Sequence, residues 1–253
     1  RYIHNAIFSY LDIRPQNFYR VEADVEGLKF VTARGWEDLS SLMYVYEELG
    51  ISINAGVVGE FLHNEDIAED FAAYYDLYNK YRDDYGINNI LAGNATSDIY
   101  RRMINADYDE RLTVVNLLLD TLNKHFKYAA ELKAYTDSWY KSIKEKIKAG
   151  EDEGAIDKEK AEFSKQAEKL DSVEEQTLAK LENAFDFLEG SKQEISKEDI
   201  GKLDQEMLIF VTGLTTGKES SSFLLVNPCD RYKSYSAMYL KGGRRNQLLK
   251  EME

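Results

Sequence analysis

The sequence predicts a mainly α-helical protein: a helical bundle carrying one small β-hairpin, followed by a long antiparallel helical hairpin. Three observations predict it. Apolar residues recur at spacings of three and four through two long stretches, 109–149 and 156–188, as on one face of a helix. Only two prolines, Pro15 and Pro228, occur in 253 residues, so long helices meet few breaks. Between Arg20 and Thr32 the period falls to two, the mark of paired strands around a turn.

The elements follow in order. Ile3, Ile7, Phe8 and Leu11 share a face and predict a short helix over 2–13, ended by Pro15. Val21, Ala23 and Val25 alternate with Arg20, Glu22 and Asp24, and Leu28, Phe30 and Thr32 alternate after a turn at Glu26-Gly27. This predicts a hairpin at about 20–32, which is marginal alone and has to lie on helices. Leu39, Leu42, Met43, Tyr46 and Leu49 form the stripe of a helix over 33–49, with Thr32 as N-cap and Gly50 just past its end. A short helix over 54–62 follows. Asn64 caps the next, whose first turn holds Glu65 and Asp66. Its stripe is Ile67, Phe71, Tyr74, Tyr78 and Tyr85, flanked by Tyr75 and Tyr81. A tyrosine row of this kind is a core seam that keeps its hydroxyls wet, or else a partner-binding face; the seam is favoured.

Residues 86–97 are rich in Gly and Asn and place a domain boundary there, giving domains 1–93 and 94–253. The second begins with a short helix over 98–106. A helix over 109–149 would run about 60 Å at 1.5 Å per residue. Gly150 marks the turn into a second long helix ending at Gly190, and so short a connection predicts antiparallel packing over about 109–190. The stretch 141–182, rich in Lys and Glu, reads as a thin exposed arm. Ser196 opens a further helix with Ile200, Leu203, Met207, Leu208 and Val211 on its face. Phe223–Val226 reads as a short buried strand or extended segment.

Composition excludes several functions. A net charge of −14 opposes general binding to nucleic acid or anionic membrane. The basic stretch 232–253, with Lys233, Lys241, Arg244, Arg245 and Lys250, touches an acidic partner or solvates a terminal helix; solvation is favoured. No apolar run reaches the roughly 18–20 residues that span a bilayer. The single cysteine, Cys229, rules out an internal disulfide and fits a reducing, cytoplasmic compartment. His4, His63 and His125 are too scattered to predict a metal site. Gly213–Lys218 imitates a phosphate loop but has three residues between its glycines and Glu219 after the lysine, so it reads as a turn. Leu117–Asp120 imitates the acidic strand of a nucleotide site but lies inside a helical pattern.

One residue stands out as a site candidate. Arg34 occupies the first turn of the 33–49 helix, where the dipole disfavours a cation. An arginine held beside free helical N–H groups suits an anion such as phosphate. Its plain alternative is a surface pair with Glu37 or Asp38.

Thr32-Ala33-Arg34-Gly35-Trp36 resembles the Thr/Ser-x-Arg-x-Trp-like segment that opens the lid helix of MoxR-like AAA+ ATPases. Ile3–Pro15 is similar to the helix and Arg/His-Pro segment that leads into that lid, and Tyr44–Gly50 fits its continuation. The resemblance covers roughly the first third of the chain. It implies a lid subdomain over 1–93 in which Arg34 is the sensor-2 residue at the γ-phosphate; Trp36 beside it, a large aromatic, is expected to pack under the hairpin rather than touch ligand. It further implies an ATP-dependent remodelling or assembly chaperone, using ATP and Mg2+ and working as a hexameric ring with protein clients. Walker A, Walker B, sensor-1 and arginine-finger segments have no counterpart here, and the chain begins at Arg1 rather than Met. The expectation is therefore a C-terminal fragment that does not hydrolyse ATP alone, with 94–253 engaging a client or partner. The rival class is a non-enzymatic acidic helical adaptor that binds another protein through its long hairpin.

Overall fold

The computed structural model describes residues 3–24, 27–191 and 205–239. The chain is mainly α-helical with a small antiparallel hairpin. It divides into two units: Arg1–Ile87 with Asn105–Leu117, and Asn88–Ile104 with Leu118–Glu253.

In the first unit, α1 (Asn5–Ile13) starts later than the periodicity suggests, because His4 caps it: its Nδ1 accepts the Ala6 N–H at 3.2 Å. A 3-10 turn, Pro15–Asn17, leads to β1 (Arg20–Asp24) and β2 (Gly27–Val31). Val21 pairs with Phe30 and Ala23 with Leu28. α2 (Ala33–Leu49) follows directly, with Thr32 as N-cap and Gly50 in the left-handed region at φ 66°. α3 (Ala55–Gly59) and α4 (Glu65–Tyr85) begin at Asn54 and Asn64, whose side chains accept N–H groups three residues on. The tyrosine row is largely core: Tyr75, Tyr78 and Tyr85 are buried with Ile67 and Phe71. The seam α1–α2–α4 is aromatic, with Tyr10, Trp36 and Phe71 in mutual ring contact.

A polar chain crosses this unit. Asn17 Nδ2 donates to the Tyr10 hydroxyl at 2.6 Å, which donates to Asp70 at 2.7 Å. Tyr74 shares hydrogen bonds with Ser9 of α1 and with Thr113, and Asn116 donates to Ser9 at 3.0 Å. Burial is the main cause that pushes the Tyr74 hydroxyl up to about 12.

The hairpin departs from expectation. Val31 is buried, but Val21 and Leu28 are 51% and 61% exposed, so the apolar alternation faces solvent. The hairpin is anchored instead by its root. Phe30 N–H donates to the His63 carbonyl at 2.8 Å, and Val31 is fully buried.

In the second unit, part of the passage read as turn-rich is helical: α5 (Ile87–Leu91) precedes Gly93. α6 is Ser97–Asn105. α7 (Tyr108–Ala149) begins in the first unit and continues in the second, and α8 (Glu153–Gly190) returns after Gly150 at φ 71°. The two long helices are antiparallel. Lys146 and Trp139 both reach Glu159, Trp139 meets Phe163 edge to face, and Thr136 meets Gln166. Towards the turn the seam thins to Leu132, Thr136 and Ile143 against Ile156 and Leu170, the other residues of that stretch being largely exposed.

Two readings of the later chain are corrected. α9 (Gln205–Thr216) continues through Gly213, so the presumed turn shrinks to Gly217. A Cβ at Gly213 would stand 2.6 Å from Leu119 Cδ1; the glycine lets the helices approach rather than turning the chain. Phe223–Val226 is helical, within α10 (Lys218–Val226), and only Phe223 and Leu224 are buried, against Leu225 at 86% exposure. Four apolar residues in a row carry no period, so burial alone separates helix from strand here. Residues 230–239 form α11, held on α8 by Arg231 to Glu182 and Asp186 and by Tyr235 stacked on Phe185. The helix start at Ser196 and the basic residues Lys241, Arg244, Arg245 and Lys250 lie outside the described residues.

Candidate functional site

The start of α2 is built by local rules and then clamped by its neighbours. Thr32 has extended backbone, and its hydroxyl accepts the Gly35 N–H at 3.2 Å. At Gly35 a Cβ would lie 2.6 Å from the Phe61 carbonyl oxygen, so glycine is what lets this turn sit against the segment after α3. Trp36 is buried, its ring meeting Tyr10 and Phe71 and its Nε1–H donating to the Phe18 carbonyl at 3.2 Å.

With three of the first residues so fixed, Arg34 is left facing outward. Its side chain is 77% exposed. The guanidinium forks onto Asp38, with Nε to Oδ2 and Nη2 to Oδ1 both at 2.9 Å, and Nη1 lies 3.7 Å from Glu37. The surface pair named from the sequence is thus the geometry adopted. Both carboxylates belong to the same helix and water surrounds the pair, so the interaction is screened and exchangeable. A planar, permanently charged donor fork on a rigid helix start can instead receive a phosphate oxygen pair.

The remaining candidates are structural. The His63 ring lies against Phe30, and no metal-binding group of three His, Cys, Asp or Glu side chains occurs among the described residues. Cys229 is buried, its thiol donating to Glu182 at 3.2 Å, and burial first, then that carboxylate, pushes it up to about 11. A thiol held protonated in this way is a poor nucleophile. Leu117 and Leu118 are fully buried in α7. No described helix is long and apolar enough to cross a membrane.

Sequence reasoning passed over His4. Its backbone N–H donates to Ser40 at 2.8 Å, its Nε2 lies 3.1 Å from Glu47, and Tyr75 donates to the same Glu47 oxygen at 2.8 Å. One imidazole therefore ties α1 to α2 and, through Glu47, to α4. The available signal was a residue one turn before Ile7 and Phe8 whose ring nitrogen can cap like a carboxamide, a signal that the helix expected over 2–13 placed inside the element. Compared with protein-family models, with curated proteins and with solved structures, the chain matches none.

Proposed function

We propose that this chain is the lid and helical extension of a MoxR-like AAA+ ATPase, an ATP-dependent remodelling or assembly chaperone, with Arg34 as its sensor-2 arginine. One observation supports the reading above the others: Arg34 is presented outward from a helix start whose flanking residues, Thr32, Gly35 and Trp36, are all committed to holding that turn in place. A side chain supported in this way delivers its charge with little reorganisation, as electrostatic assistance to phosphoryl chemistry requires. On this reading adenine, Mg2+ and the attacking water are held by a nucleotide-binding core outside residues 1–253, and the chain supplies one cation. The phosphate displaces Asp38 from the guanidinium, and rotation of the first unit reports nucleotide state to the extension. The active protein is a hexameric ring in the cytoplasm, and 94–253 engages the client.

The test is ATP turnover by the protein containing that core. Arg34→Ala should lower turnover about tenfold or more, with helical content and melting temperature unchanged, because the side chain is exposed. Turnover equal to the parent protein would remove Arg34 from the site.

A second reading, a non-enzymatic helical adaptor, draws on the α7–α8 hairpin. Tyr128, Tyr135 and Tyr140 are each about half exposed on α7. Tyrosines exposed in this way are common at protein interfaces. A protein that binds its partner equally well with and without nucleotide, and has no ATPase core, would favour the adaptor.

A further inference from the structure

The hairpin offers an edge and a face that nothing else in the described residues occupies. Among the described residues the sheet has two strands, and beyond β2 the one further bridge is Phe30 to His63. Because the Phe30 N–H is given to His63, the Val21–Phe30 pair is a non-hydrogen-bonded pair of the β1–β2 ladder. The N–H and C=O of Val21 therefore point away from β2, to the open side of β1. The side chains on the same strands put Val21, Ala23 and Leu28 on one solvent-facing apolar surface. An open edge next to an apolar face is a template for strand addition.

We infer that β1 pairs antiparallel with β1 of a second copy, about a two-fold axis at Val21. The charge pattern selects both the occupant and the register. Registers that use the outward N–H groups pair odd-numbered residues with odd-numbered ones. Centred on Arg20, such a pairing sets Arg20 against Arg20; centred on Glu22, it sets Glu22 against Glu22. Centred on Val21, it sets Arg20 opposite Glu22 of the second copy twice, and Val21 against Val21 with both backbone hydrogen bonds made. Unlike charges directly opposed across a ladder are favourable and like charges are not. Arg20 and Glu22 already attract each other within one strand at 2.8 Å, so pairing exchanges one such contact in each copy for two across the axis. The product is a four-stranded sheet in which Val21, Ala23 and Leu28 of both copies form one continuous apolar face, an isologous contact that closes at two. The inference is independent of the role given to Arg34.

Sedimentation velocity across a concentration series tests it. The full chain should self-associate to a dimer with Kd on the order of tens of micromolar. Val21→Pro removes an N–H that β2 does not use, so the hairpin should survive while dimerisation weakens about tenfold or more. Arg20→Glu should weaken the dimer, and Arg20→Glu combined with Glu22→Arg should restore it, an outcome that a general hydrophobic contact would not produce. A chain that stays monomeric up to about 0.5 mM overturns the pairing, and in that case an extended apolar peptide bound at β1 would identify a foreign strand as the occupant. A dimer that persists unchanged in Val21→Pro with melting temperature unaltered overturns it as well.

Discussion

The indole N–H of Trp36 donates to the backbone carbonyl of Phe18 at 3.2 Å, across the width of the first unit's aromatic seam. The same ring meets Phe71 edge to face at 5.3 Å and Tyr10 at 5.8 Å. One side chain thus holds the first turn of α2 to α1, to α4 and to the segment entering the hairpin. The turn that carries Arg34 is held in place by the residue two positions further on.

Replacing that side chain should separate its two contributions. Trp36→Phe keeps most of the buried ring but leaves the Phe18 carbonyl without this donor, and should cost about 1–2 kcal/mol. Trp36→Ala should cost about 3–5 kcal/mol by opening a cavity between Tyr10 and Phe71. Denaturant unfolding followed by far-ultraviolet circular dichroism measures both. Equal losses would mean that the hydrogen bond, not the packed ring, holds the turn.

Gly35 should be intolerant of even one methyl group. The obstacle is a backbone carbonyl, Phe61 O, 2.6 Å from the position a Cβ would take, and a backbone atom cannot turn aside as a side chain can. Gly35→Ala should therefore lose about 1–3 kcal/mol despite alanine's better helix propensity. Gly154→Ala is the control. Near the start of α8 its Cβ would meet Asp152 at an ordinary 3.4 Å, so the same change should be neutral or stabilising by about 0.5 kcal/mol. A thermal melt of the two variants reports the contrast.

His125 gives the second unit a pH dependence of known sign. Burial first, and the nearby Lys180 charge second, hold its imidazole below the ordinary 6.5. The unfolded chain therefore takes up the proton more readily than the folded one. The contribution is whole above about 6.5 and is lost as the pH falls through the lower folded value. His125→Gln should reduce the drop in melting temperature between about pH 7.5 and about pH 5 relative to the parent chain. An identical drop in both would show that other groups carry the acid sensitivity.

Much of the fold was legible because helix ends are local events. Thr32, Asn54 and Asn64 cap through a side chain that reaches an N–H three residues on, and Gly50, Gly86 and Gly150 take the left-handed backbone that closes a helix. None of these needs a partner from elsewhere in the chain, so the order and limits of α2, α4, α7 and α8 follow from neighbouring residues. The mainly helical class, with its one hairpin, follows in the same way from period and from the scarcity of proline.

Burial is a different matter, because it depends on what arrives from a distance. The alternation of Val21, Ala23 and Leu28 announces two strands but not which side faces water, and tertiary structure turned the apolar side outward. Gly213 looks like a turn until Leu119 is brought against it. Arg34 was identifiable as an unusual cation at a helix start, yet only the packing of Trp36 and the closeness of Phe61 to Gly35 decided that the turn carrying it would be pinned with this side chain facing outward. Local hydrogen bonding sets where an element begins and ends; the contacts made by residues far apart in the chain set which of its faces is left for function.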